Sequence, residues 1–117
     1  MSQDQNYPTH QQIDELTSQS FDLRHQNTRK ALELCLQSKE LSLKIDYQMG
    51  YAKSLYLIGL CHHILGTAED VVETIQQSLS LFQSLGDERG QSDAYNLLGL
   101  VYARESSFIE SIEYHHK

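Results

Sequence analysis

Six histidines, two cysteines and sixteen acidic side chains are the residues of this 117-residue chain from which a metal site, a nucleophile or an acid–base pair would be built. His62 and His63 are adjacent, as are His115 and His116. Helix neighbours diverge by about 100°, so neither pair converges on one ion, and Cys61 beside His62 has the same defect. Cys35 and Cys61 lack C-x-x-C spacing, and each falls inside an apolar helical pattern, which reads as two buried, reduced thiols. Glu33, Glu73 and Glu113 read as a solvated outer face, with an acidic stripe across stacked helices as the alternative. No Gly-rich phosphate loop, G-x-S-x-G turn or paired nucleophile and base occurs. The expectation is a non-enzymatic protein with no metal and no cofactor.

Composition narrows the partners. The chain is 39% hydrophobic, enough for one modest core. Its formal charge is −7, and Arg24, Arg29 and Lys30 are too few to make a phosphate-binding face, which excludes nucleic acid as the main partner. The stretch "MSQDQNYPTH" is not a signal peptide, and the longest apolar run, "LYLIGLC", is too short to span a bilayer. A cytoplasmic protein without a membrane partner is expected.

The elements that carry these residues are all helical. There is no strand pattern and one proline, Pro8, while apolar residues recur at three- and four-residue spacing. Residues 1–8 read as a disordered tail and 9–117 as one helical domain. Six helices are expected, over 9–25, 28–45, 48–65, 68–85, 88–104 and from Ser107 onward. Thr9 or His10 stands at the first start, Asn27 or Thr28 caps the second, and Gly66 and "LGD" close the third and fourth.

A repeat runs through this pattern. "LIGL" at 57–60 returns as "LLGL" at 97–100, and the same shift of 40 residues aligns Gly50 with Gly90, Ser38 with Ser78 and Leu41 with Leu81. The matches span two helices and their turn, which implies stacked helix pairs. In the third helix Leu55, Ile58 and Gly59 share a face with Ala52 and His62, while Lys53, Tyr56, Leu57 and Leu60 form another; a lone amphipathic helix needs only one.

This pattern resembles the tetratricopeptide repeat family. The first-helix motif is read in Leu55, Ile58-Gly59 and His62, and again in Tyr95, Leu98-Gly99 and Tyr102; the second-helix motif is read in Ala31 with Cys35, Val71 with Ile75, and Ser111 with His115. The closing proline is missing and the period is 40 rather than 34, which looks like a bacterial signalling-type subclass. The likeness covers residues 28–117 well and 9–27 poorly. It implies an all-α, right-handed α-solenoid of antiparallel helix pairs. Repeat packing then falls to Ala31, Leu55, Ile58, Gly59, Val71, Tyr95, Leu98, Gly99, Tyr102 and Ser111.

The resemblance also implies a groove lined by Lys53, Tyr56, Leu60, His63, Asn96, Leu100 and Arg104, in which Asn96 pairs with a peptide amide and Arg104 with a carboxylate. The competing reading packs Tyr56, Leu57, Leu97 and Leu100 between repeats. Extending the register places the close of a sixth helix near residue 125, which leaves Phe108, Ile109 and Ile112 partly uncovered. Either this is the amino-terminal part of a longer protein, or two copies cover each other as a homodimer. The functional expectation is a protein- or peptide-interaction module, regulatory or sensory, acting on a separate partner or a downstream domain of its own chain. The alternatives are a small apolar-ligand sensor and a homodimerisation module.

Overall fold

Each helix of the chain starts and stops where its end groups find partners. In the computed structural model, backbone is described for residues 7–67 and 70–115, and side chains for 7–67 and 70–106. Among these residues there are five helices and no strand: α1 (His10–Leu23), α2 (Thr28–Lys44), α3 (Gln48–Leu65), α4 (Val71–Leu85) and α5 (Glu88–His115). No helix among the described residues is long and apolar enough to cross a membrane.

Thr9 caps α1 in a reciprocal box. Its Oγ1 accepts from the Gln12 amide at 3.1 Å, and its own amide donates to Gln12 Oε1 at 3.0 Å. Asn27, not Thr28, caps α2 by accepting from the Lys30 amide at 3.2 Å. The turns after α2, α3 and α4 each contain a residue in the left-handed region, namely Asp46 (φ 55°), Gly66 (φ 68°) and Gly86 (φ 70°). For Gly66 and Gly86 that geometry turns the amide back onto the last carbonyls and ends the helix.

Successive helices pack on one another, and α3 also touches α1 and α5. Ser42 meets Gly50 and Ser38 meets Ser54, so α2 and α3 run antiparallel. Two buried clusters result. Ala31 and Cys35 of α2 join Leu57, Ile58 and Cys61 of α3; Val71 and Ile75 of α4 join Ala94, Leu97, Leu98 and Val101 of α5. Tyr56 and Leu60 pack against both clusters, which explains why α3 carries apolar residues on more than one face. Each fully buried Ile, such as Ile75, stabilises by about 1.5–3 kcal/mol.

Small residues set the helix spacing. Buried serine hydroxyls cross the boundaries: Ser20 Oγ donates to the Ala31 carbonyl at 2.7 Å, Ser78 Oγ to the Ala52 carbonyl at 2.8 Å, and the Ser38 and Ser54 hydroxyls meet at 2.6 Å. A Cβ on Gly59 would lie 2.7 Å from Ile75 Cγ1, so α3 and α4 approach there too closely for any side chain.

The expected break into a fifth and sixth helix is absent. Residues 88–115 form one continuous helix, about 42 Å long at 1.5 Å per residue. The segment Ala103-Arg104-Glu105-Ser106-Ser107 has no Gly, Pro, Asn or Asp, whereas Asp46, Gly66 and Gly86 close the turns after α2, α3 and α4, and the helix runs through it. Tyr95, Gly99 and Tyr102, expected in repeat packing, are consequently exposed, and a Cβ on Gly99 would meet nothing within 4 Å. Ala31, Leu55, Ile58, Gly59, Val71 and Leu98 are buried. The side chains of Phe108, Ile109, Ser111 and Ile112 lie outside the described residues, as do residues 1–6 of the expected tail.

Candidate functional site

A cleft of about 590 Å³, the largest of the three hollows described here, is built by four helices together. From α1 come Asp14, Thr17, Ser18 and Phe21; from α3 come Lys53, Tyr56 and Leu57; and the α4–α5 corner supplies Phe82, Asp87, Arg89, Gly90 and Asp93. The α1 contribution follows from helix spacing. Ile13, Thr17 and Ser20 are buried, so Asp14, Ser18 and Phe21 run along the adjoining stripe at four- and three-residue steps. On α3, Lys53, Tyr56 and Leu57 share a face for the same reason.

The cleft is amphipathic. Phe21 and Tyr56 give it aromatic surface, with the Arg24 guanidinium 3.8 Å from the centroid of the Phe21 ring. Three carboxylates (Asp14, Asp87, Asp93) and two cations (Lys53, Arg89) line it, with no ion pair between them. Asp14 is held by the Tyr47 hydroxyl, which donates to Oδ1 at 2.8 Å. Burial, and after it the charge of Asp93, pushes the Tyr56 phenol up, with Arg24 opposing. Tyr56 therefore keeps its proton and offers a hydrogen-bond donor beside apolar surface.

The seven residues expected to line one groove are divided among several places. Lys53 and Tyr56 enter the cleft, and Leu60 lies between the two core clusters. His63 and Arg104 line a separate hollow of about 170 Å³, where Arg104 Nη1 donates to the His63 carbonyl and His62 Nδ1 lies 3.0 Å from Thr67 Oγ1. Burial, then the nearby Arg104 charge, holds His63 below the usual imidazole range. Asn96 and Leu100 are exposed on α5 and line none of the cavities described here. The α1 wall lies one 40-residue period before α3, since 10–23 shifted by 40 gives 50–63, but its residues match the repeat poorly, and only its apolar spacing and the cap at Thr9 signal that a helix stands there.

The thiols are removed from this chemistry. Cys35 and Cys61 are free and fully buried, and Cys35 is pushed up by its hydrogen bond with Cys61 and by burial. Among the described residues no group of three His, Cys, Asp or Glu is placed to hold a metal ion. A third hollow, of about 400 Å³, opens between α1 and α2 beside Tyr7 and Lys44. No protein-family profile, curated protein or solved structure matches the chain.

Proposed function

We propose that the chain is a non-catalytic module that binds a protein or peptide segment in the cleft between α1, α3 and the start of α5. The observation that supports this reading is the cleft's composition: aromatic surface from the exposed Phe21 and the half-buried Tyr56, flanked by charges of both signs. Such a surface suits a chain of mixed side chains, whereas a small apolar ligand calls for an enclosed, mostly apolar pocket. The helix stack, with α3 touching both α1 and α5, fits a tetratricopeptide-like α-solenoid whose alternate helices line one side. A regulatory role ahead of an output domain in a bacterial signalling protein rests on the resemblance alone. In that role the bound segment shifts output only as far as it favours one arrangement of the stack over another.

Selection of peptides from a displayed random library tests the reading. Enriched peptides should bind the native chain and lose at least about tenfold in affinity with Lys53→Ala or Tyr56→Ala, the loss expected at interface anchors. Peptides that bind both variants as well as the parent, or a selection that enriches none, would refute it.

A further inference from the structure

Two equivalent helix faces of this chain have opposite fates. On α3, Leu55 is 2% exposed and Gly59 is filled by Ile75, because α4 lies over them. Forty residues on, Tyr95 is 55% exposed, Tyr102 is 49% exposed, and Gly99 has no neighbour within 4 Å. An uncovered glycine inside a helix gives up helix propensity for no contact. The face has the form of a helix seat without its helix.

The register identifies the missing helix. Val71, which opens α4, maps onto residue 111, so the stretch from 107 onward is what should cover Tyr95, Gly99 and Tyr102. That stretch is the distal part of α5 itself, and a straight helix cannot lie on its own flank. Folding it back needs a break within 103–107, where the backbone is helical throughout. A second copy meets neither obstacle, since each molecule carries one bare seat and one stretch whose register matches it.

We propose that α5 is the arm of an exchanged homodimer, in which residues 107–115 of each copy lie along the Tyr95–Gly99–Tyr102 face of the other. The exchange is reciprocal and closes with two-fold symmetry, so it stops at two copies. The seam lies away from the cleft residues, so its failure leaves the peptide reading standing, and the reverse also holds.

Light scattering on the 117-residue chain over about 5–200 µM tests this, since the dimer fraction must rise with concentration. The native chain should approach twice its 13.5 kDa mass. Gly99→Leu should give the monomer mass with an undiminished 222 nm helix signal, because a Cβ there has no described neighbour within 4 Å and the larger side chain blocks the seat. Ile112→Glu, on the arm, should do the same. A native chain that stays monomeric throughout overturns the proposal, whether the seat is empty, covered by its own arm or open to another protein. A dimer that survives either substitution overturns the arm exchange.

Discussion

Replacing Gly90 with alanine tests the close packing that joins α4 to α5. Gly90 lies against the ring of Phe82, which is 2% exposed, and a Cβ there would fall 2.5 Å from Phe82 Cγ and Cε1. Carbon atoms rest at about 3.5–4.0 Å, so the ring must move by about 1 Å or leave its site. Alanine returns at most about 1 kcal/mol of helix propensity. Overpacking costs about 1–3 kcal/mol, and full expulsion of the ring approaches the roughly 3–5 kcal/mol of a Phe truncation. The net expectation is a loss of about 1–3 kcal/mol, a fall of roughly 3–10 °C in Tm for a domain of this size. Urea unfolding followed at 222 nm measures it. The decisive arm is a double-mutant cycle with Phe82→Ala: without the ring, Gly90→Ala should become neutral or mildly stabilising. If Gly90→Ala costs as much without the ring as with it, the clash with Phe82 is not the cause and the reasoning fails.

Two further predictions concern the amino-terminal half. Thr9→Ala removes the capping box and should cost about 1 kcal/mol, with faster amide exchange confined to the first turn of α1. Tyr47 is pushed up to about 12, from an ordinary value of 10.0, by burial, then by its bond to Asp14 and that carboxylate's charge. Stability from this contact should therefore be intact below pH 10 and lost between pH 10 and 12, where the unfolded chain releases the proton first. Tyr47→Phe should remove that alkaline slope in unfolding curves.

The helix boundaries were legible wherever local chemistry sets them. Gly66, Gly86, Asn27 and Thr9 each act within three or four residues of their own position, so the sequence around them is enough. The recurrence of Gly59 and Gly99 identified a close approach, and Ile75 fills the first of them. What the repeat could not convey is whether its next unit folds back. The break at 104–107 rested on register alone, and no Gly, Pro, Asn or Asp stands there to favour one. The cleft was half legible for a related reason. Lys53 and Tyr56 lie on a helix whose faces the repeat defines, whereas Asp14, Ser18 and Phe21 belong to a helix whose residues match the repeat poorly. Their direction depends on how α1 crosses α3, a property of packing between segments about 35 residues apart, and no short pattern encodes it.

The buried serine hydroxyls govern how this stack gives way under load. Each is a pin at one point rather than a broad contact. Axial slip of α3 by one helical turn, about 5.4 Å, tears the pins at Ser38 and Ser78, and slip of α2 tears those at Ser20 and Ser38. Ser38 and Ser54 keep the carbonyls of their own helices, whereas a stranded Ser20 or Ser78 hydroxyl costs about 1–3 kcal/mol. Tilting one helix about its pin keeps the bond while apolar neighbours slide over one another at little cost. Pulled from its two ends, the stack therefore bends and twists elastically at the serine pivots before any helix shears past the next, and it recovers its register on release.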